Sequence, residues 1–421
     1  MKKPGGCFSL TLIVFLLMQL FFLKAFAQDT VVLRLNDVLE RMDTSYPALL
    51  SYHQKLQSIN ASASATQSWM PPTISIGVDR FTYQPSMWME ESPMNQSGFM
   101  ISAEQMIPNP VKLNAHYNAV KSTSAPLVYD SAWMRNSLRG KARLYYYQRF
   151  IAERKLTTLR ESELVLDMLI ATAEARYAVN RADLSTIFKA KARRAELTNM
   201  ETMLNAQIAE STIGLNTLMN RDLNTPFQID SVLTLETFAD TIVFDSLARR
   251  SDILAMNASI YSMQQQKVYM NAGSKPDFGI KVTHMQMMGM PNQFSIMGMM
   301  VIPIAPWSSG MYRYGVQAMD FQIQAMELEK ENMKLMANQM AAERLAMLKY
   351  ETQQLSNYDT LIVPAYQDNY DATYLAYKNN TGSFFVLLDA WDMLLMKKME
   401  ATDQLFKVLI LQTQYQYEIE E

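Results

Sequence analysis

The sequence predicts a mainly α-helical protein with a β-sheet portion, built as two copies of one helix–strand–strand–long-helix plan. Three observations support this fold class. Two similar helix-turn segments lie 200 residues apart, short runs of alternating polarity follow a proline in each half, and helix breakers are sparse. Only 13 glycines and 15 prolines occur in 421 residues, whereas methionine is abundant at 34. This composition favours long helices over loops or disorder.

The N-terminus is typical of a secretory signal peptide spanning residues 1–27. A basic "MKK" precedes the apolar run "FSLTLIVFLLMQLFFL", and "AFA" supplies small residues at the spacing of a cleavage site before Gln28. The single cysteine, Cys7, precedes the apolar run. We therefore expect neither a lipoprotein anchor nor a disulfide in the mature chain. The acidic net charge of −3 argues against nucleic-acid binding.

The two copies define the predicted domain organisation. The segments "ARYAVNRADLSTIFKA" (175–190) and "LAYKNNTGSFFVLLDA" (375–390) match at a constant offset, with Tyr177 corresponding to Tyr377. The predicted domains are a first repeat at 28–225, with strands about 72–83 and 97–107 and long helices about 110–220; a linker at 226–245; and a second repeat at 246–421, with strands about 276–286 and 293–304 and long helices about 309–415.

Each predicted strand has one apolar face. In the third strand, for example, every second residue is apolar: Phe278, Ile280 and Val282. Four strands of about ten residues with this alternation match the wall of a transmembrane β-barrel. Four strands cannot close a barrel, and open sheet edges are not tolerated in lipid. We therefore expect several chains to share one barrel.

The long helices must reverse direction once in each repeat. Asn180 in the first repeat, and Asn379, Asn380 and Gly382 in the second, stand where these reversals are predicted. Asparagine and glycine tolerate the left-handed backbone that commonly ends a helix. The pattern therefore predicts a tight turn between two long helices in each half of the chain.

Several motifs resemble those of the TolC-type outer-membrane efflux proteins, in order, over residues 35–420. "EQMIPNPVKLNA" (104–115) resembles the family's "Q-x-I-P-x-P-G-K-L", with Val111 in place of glycine. The two helix-turn segments resemble the repeated "R-Y-x-x-G-x-x-x-x-x-x-V-L-x-A", with Asn180 and Asn380 at the glycine. "LNTLMNRDLNTPF" (215–227) and "LARRSDILAMNASI" (247–260) resemble two further family motifs, the latter with Ser251 in place of proline.

The resemblance implies a homotrimer in the outer membrane of a Gram-negative bacterium. Each chain would give four strands to a shared twelve-stranded β-barrel and several helices to a periplasmic α-barrel. The partners implied are a periplasmic adaptor protein, an inner-membrane resistance-nodulation-division pump and outer-membrane lipid. The function implied is that of a passive exit duct in tripartite efflux. No catalytic motif contradicts this expectation, so we expect no enzymatic activity and no cofactor.

The resemblance also suggests where a periplasmic gate or adaptor contact would lie. Asp389 matches a position at which the family often carries an aspartate facing the mouth of the channel. A ring of such carboxylates would attract cations. The alternative is that these turn residues serve conformation alone. The candidates are Asn180, Arg181, Asp183, Asn379, Asn380, Gly382, Ser383 and Asp389.

The predicted cargo is a soft metal ion. "RGKARLYYYQRFIAERKL" (139–156) resembles the heavy-metal branch of the family, and thioether ligands suit Cu(I) and Ag(I). The candidate contacts cluster at the two strand hairpins, predicted to be extracellular: Met87, Met89, Met94, His284, Met285, Met287, Met288, Met290, Met297 and Met299. Alternatively, methionine merely replaces leucine and valine there. Two further alternatives are a drug or secretion conduit of the same fold and a periplasmic methionine-rich metal-binding protein.

Overall fold

The computed structural model describes residues 32–92, 94–178, 183–230, 233, 235, 236, 238, 247–303 and 305–420. The predicted signal peptide and most of the predicted linker lie outside the described residues. The described residues divide into two compact units, each containing segments of both repeats. The helical unit falls within Met1–Asp43, Lys141–Thr237 and Tyr350–Ile410, and the sheet unit within Thr44–Gly140, Phe238–Lys349 and Leu411–Glu421.

Long helices dominate the described chain. The helices are α1 (Leu35–Ser45), α2 (Pro47–Ala65), α3 (Pro110–Ser122), α4 (Ser124–Tyr177), α5 (Leu184–Leu218), α6 (Ser251–Ala272), α7 (Pro306–Asn357), α8 (Val363–Lys378) and α9 (Phe384–Ile419). The strands are β1 (Val32–Leu33), β2 (Thr73–Asp79), β3 (Gly98–Ile107), β4 (Gln228–Ile229), β5 (Asp277–Met287) and β6 (Gln293–Val301). Across the described ranges, we find no helix with the length and apolar character needed to cross a membrane.

The four predicted strands form one antiparallel sheet in the sheet unit. Its order is β2-β3-β5-β6, so the two repeats meet where β3 pairs with β5. Ser102 of β3 lies opposite Ser75 of β2 and Thr283 of β5. Because side chains alternate between faces along a strand, this register decides which residues share a face.

Two of the strands are shorter than the sequence predicts. β2 ends at Asp79 because Arg80 takes a left-handed backbone with φ of 57°, and a 3₁₀-helix follows at Pro85–Met87. β6 ends at Val301, two residues before Pro303, which has no N–H to donate to a strand ladder. Both strands therefore stop where the backbone can no longer continue the pairing.

The long helices of the described chain are interrupted at a few positions. A π-helical turn at Tyr358–Ile362 separates α7 from α8 just before Pro364. Proline lacks the donor that an α-helix needs, and a wider turn accommodates the loss. Gly315 lies within α7 and does not interrupt that helix. The first repeat breaks at Thr123, between α3 and α4.

The helical unit is held by a continuous apolar core. Leu159 and Leu166 of α4, Leu197 of α5 and Leu387 of α9 are almost inaccessible to solvent and belong to one cluster. Leu159 and Leu166 are seven residues apart on α4, which is the repeat of helices that pack along a seam. The core therefore aligns α4 and α5 with α9, the helix that carries the candidate gate residue Asp389.

Candidate functional surfaces

The four-stranded sheet has one face on which many large apolar side chains are exposed. We call this the apolar face. The side chain of Ile76 is 80% exposed and that of Phe294 is 78% exposed. Its other large apolar residues are Ile74, Val78, Phe99, Ile101, Phe278, Ile280, Val282, Ile296 and Met300. An exposed apolar surface of this extent indicates a surface that another apolar phase covers.

The opposite face mixes polar side chains with methionines, and its central side chains are buried. We call it the mixed face. Ser102 is only 2% exposed and Thr283 only 3%, and the register places them in one row with Ser75 and Ser295, one hydroxyl from each strand. In a soluble sheet the apolar face is normally the buried one. The burial pattern of this sheet is therefore inverted.

An ion pair lies beside the row of hydroxyls on the mixed face. The Lys281 ammonium lies 3.9 Å from a carboxylate oxygen of Glu104 on the neighbouring strand, and Met297 lies opposite Lys281 on the other side. This pair is not predictable from the sequence, because the strand register that joins two residues so far apart in sequence is not visible in either strand alone.

The candidate metal ligands in the strands divide between the two faces. Met285 and Met287 share the mixed face with Met297 and Met299, as the register requires. His284 lies on the apolar face, between Ile101 and Phe294 on the adjacent strands. The structure therefore does not bring His284 together with the neighbouring methionines. No group of three or more His, Cys, Asp or Glu side chains suited to a metal occurs in the described residues.

The two hairpin tips pack against each other. The Met288 amide donates a 2.9 Å hydrogen bond to the Ser97 carbonyl, and a β-carbon at Gly289 would lie 2.8 Å from the Ser92 carbonyl oxygen. The Asn95 side-chain amide donates to the Glu90 carbonyl at 2.8 Å. Met87, Met89 and Met94 extend from this loop as exposed side chains. The tips therefore form one ordered surface, at which the role of the methionines stays a prediction.

The turn between α8 and α9 has the geometry that its asparagines predict. Asn380 has φ of 58°, and the Thr381 amide donates to the Ala376 carbonyl at 2.9 Å, which ends α8 with a left-handed residue. Gly382 needs no such backbone. Ser383 directly precedes α9, and its hydroxyl oxygen accepts from the Val386 amide at 3.3 Å. The exposed Asn379 lies beside Asn380.

The corresponding turn in the first repeat is described only at its ends. Asn180 and Arg181 lie outside the described residues. Asp183 caps α5, accepting from the Ser185 amide at 3.1 Å and from the Ser185 hydroxyl at 2.6 Å. The hydroxyl first, and then the amide, lower the pKa of Asp183 below its ordinary value. Asp183 therefore has a structural role at the helix start, whatever else it contacts.

Asp389 differs from its neighbour Asp392 on α9. The Asp392 carboxylate receives the Arg193 guanidinium at 2.6 Å. Burial lowers the pKa of Arg193, but the hydrogen bond that its guanidinium donates to Glu196 and the charge of Asp392 outweigh burial and raise the pKa above its ordinary value. Asp389 is exposed and makes no ion pair with the described residues. It lies on an exposed stripe with Phe385, Val386 and Met393, so its carboxylate is available to solvent or to another chain.

Known structures share this fold. No family model and no curated protein matches the sequence. CusC, whose crystal structures concern folding and transmembrane channel formation, superimposes with a TM-score of 0.76 at 12% identity, over 94% of this chain and 95% of CusC. The outer membrane channel CmeC of Campylobacter jejuni gives 0.74 at 15% identity, over 91% of this chain and 85% of CmeC. The outer membrane protein VceC of Vibrio cholerae gives 0.72 at 15%, over 91% and 95%. The chain therefore has the fold of TolC-type outer-membrane channels.

Proposed function

We propose that this protein is the outer-membrane channel of a tripartite efflux system and acts as a passive exit duct. The single observation that carries the proposal is the inverted burial of the sheet. Its apolar face is exposed, whereas the mixed face buries the central hydroxyls and bears a partly exposed ion pair, which is the arrangement of a β-barrel wall between lipid and a polar interior. The shared fold supports the same reading.

The proposed assembly is a homotrimer. In the described chain the sheet ends at β2 and β6, each with one edge that carries no partner strand. Lipid offers no hydrogen bonds to such an edge. Pairing β2 of one copy with β6 of the next removes both edges, and three copies give a closed twelve-stranded barrel of a size that leaves an aqueous interior.

Membrane fractionation of the full chain tests this proposal. We expect the protein in the outer-membrane fraction after removal of residues 1–27, migrating as an oligomer on a gel unless heated. Recovery as a soluble monomer would falsify the channel. The variant Ile76→Asp should lose the oligomeric band, whereas the control Gly77→Asp, on the mixed face, should keep it.

The gate belongs to the same proposal. We assign Asp389 to a cation-attracting ring at the channel mouth and the turn residues Asn379, Asn380 and Ser383 to adaptor contact, with a resistance-nodulation-division pump delivering the cargo. In planar bilayers, Asp389→Asn should reduce the preference for cations. Asp392→Asn is the matched control, because that carboxylate is already paired with Arg193. Equal selectivity for Asp389→Asn and the parent protein would remove the ring.

The proposed cargo is a soft monovalent ion, Cu(I) or Ag(I). Its support is the density of thioethers on the mixed face and at the hairpin tips, since soft ligands select soft ions. Deleting the gene in a host without a second such channel should lower tolerance to silver and copper while leaving tolerance to bile salts and dyes unchanged. The reverse result would identify a drug conduit instead.

A further inference from the structure

A cavity of about 500 Å³ lies at the base of the sheet, away from the hairpin tips. It is bordered by the end of β3, the start of β5 and the helices α3, α6 and α7. Four methionines and a histidine line it: Met70, Met106, His116, Met270 and Met311. We call it the thioether cavity. None of these five residues belongs to the hairpin-tip methionines predicted from the sequence.

Two of the methionines that line the cavity place their sulfur atoms against glycines. A β-carbon at Gly279 would lie 2.7 Å from Met106 Sδ and 3.1 Å from the terminal methyl of Met299. A β-carbon at Gly315 would lie 3.3 Å from Met270 Sδ. Both glycines lack the atom that would displace a thioether. The sulfur atoms of Met106 and Met270 therefore occupy the space beside these glycines. A leucine at either methionine position would fill that space differently.

The histidine of the cavity stacks on a neighbouring tyrosine. The His116 ring stacks on Tyr269, with ring centres 4.5 Å apart and planes 10° from parallel. Within the described residues, neither ring nitrogen makes a hydrogen bond to protein. A stacked imidazole presents its nitrogens at the ring edge, where they are available to a metal ion.

The charged groups at the cavity neutralise each other. The Lys112 ammonium lies 2.6 Å from an oxygen of Asp277, and both side chains are partly buried. The carboxylate is thus engaged by a fixed cation, which leaves the thioethers and the imidazole as the open donors. Thioether and imidazole donors suit a soft ion better than a hard divalent ion such as Mg²⁺ or Ca²⁺.

We propose that the thioether cavity binds one soft monovalent cation, Ag(I) or Cu(I), through Met106, Met270 and His116, with the exposed Met311 as a further ligand. Flexible methionine side chains can converge on an ion without backbone movement. As a station on an export route the site rests on the proposed function, but binding of the ion does not. Neutral ligands of this kind release an ion readily, as a passage requires.

A silver titration of the purified full chain tests the site. With methionine methyl groups labelled with ¹³C, the resonances of Met106 and Met270, assigned from Met106→Leu and Met270→Leu, should shift and saturate as silver nitrate is added. The double leucine variant should lose the saturable silver that the parent retains on dialysis. His116→Phe, which keeps the stack on Tyr269, should weaken retention and leave both methionine resonances present.

The matched control is Met336→Leu with Met347→Leu, which removes two exposed thioethers of α7 outside the cavity. It should retain silver like the parent. Equal retention by the double cavity variant, or equal loss by the control, overturns the site. If the double cavity variant misfolds by circular dichroism, His116→Phe and the single variants decide the question in the same way.

Growth and fractionation of the same variants separate the two proposals. If silver binds as described but the protein is not in the outer membrane, the site stands and the channel fails. If the protein reaches the outer membrane and supports silver tolerance while no saturable binding is found, the channel stands and the site fails.

Discussion

The two faces of the four-stranded sheet are made by the same strands, yet they differ in polarity and in the exposure of their side chains. The apolar face exposes large side chains such as Ile76 and Phe294, whereas the mixed face buries Ser102 and Thr283. Residues that are adjacent in sequence therefore meet opposite environments. The difference teaches that one sheet can separate an apolar phase from a polar one when its alternation is maintained across all four strands.

The largest expected effect comes from placing the same charge on each face. Ile296→Lys puts an ammonium on the apolar face, where a lysine at the middle of a bilayer costs about 2–4 kcal/mol in a β-barrel. Met297→Lys puts it on the mixed face, beside Lys281, and should affect folding far less. Denaturation of the channel refolded in lipid vesicles measures both. Similar losses for the two variants would contradict the assignment of the faces.

The second prediction uses a pair of glycines on opposite faces. Gly279 lies on the mixed face, where a β-carbon would meet Met106 Sδ at 2.7 Å, whereas a β-carbon at Gly298 on the apolar face has no neighbour within 4 Å. Overpacking costs about 1–3 kcal/mol. Because both neighbours are the flexible ends of methionine side chains, Gly279→Val should destabilise the protein by about 1 kcal/mol, the lower end of that range. Gly298→Val should be neutral or stabilising in the same denaturation experiment. If Gly298→Val is the more damaging change, the packing of the two faces is reversed.

A third prediction concerns charge on the mixed face. The Glu104–Lys281 pair is partly exposed, with 3.9 Å between the charges, and such pairs contribute about 0–1 kcal/mol. Lys281→Glu should therefore change stability little but raise the preference of the channel for cations in bilayer recordings. Adding Glu104→Lys restores the opposite charges and should return the selectivity toward that of the parent. Unchanged selectivity in Lys281→Glu would show that this face does not line the pore.

The smallest expected effect is at His284. It lies on the apolar face between Ile101 and Phe294, so His284→Phe should stabilise the protein by less than about 1 kcal/mol, the range of single polar changes near a membrane surface. Silver tolerance should stay at the parent level. Reduced silver tolerance with unchanged outer-membrane recovery would indicate that His284 contacts the metal ion. It would contradict the separation of His284 from Met285.

The sequence predicted the sheet better than it predicted the helices. The period of two in Phe278, Ile280 and Val282 survives in the structure because face alternation is a local property of any strand. The C-terminal end of β2 was predicted four residues too late, because the left-handed Arg80 carries no signal that distinguishes it from other arginines. The π-helical turn before Pro364 was likewise not visible as a pattern, since it arises from how one proline is accommodated within a packed helix.

The candidate sites show the same contrast between features that local residues predict and features that arise only from packing. Asn380 was placed correctly at the helix end because its conformational tolerance is a property of the residue itself. The thioether cavity was not foreseen. Met106, Met270 and His116 come from three separate elements, and no local sequence pattern distinguishes any of them as a ligand.

The sequence by itself determined the alternation of the strands and the turn at Asn380, because each of these depends on residues close together along the chain. The tertiary structure alone decided that β3 pairs with β5, that Glu104 faces Lys281 and that four methionines surround one cavity. The physical reason is that strand register and packing are set by contacts between residues more than a hundred positions apart, whose energies appear only when the chain has closed on itself.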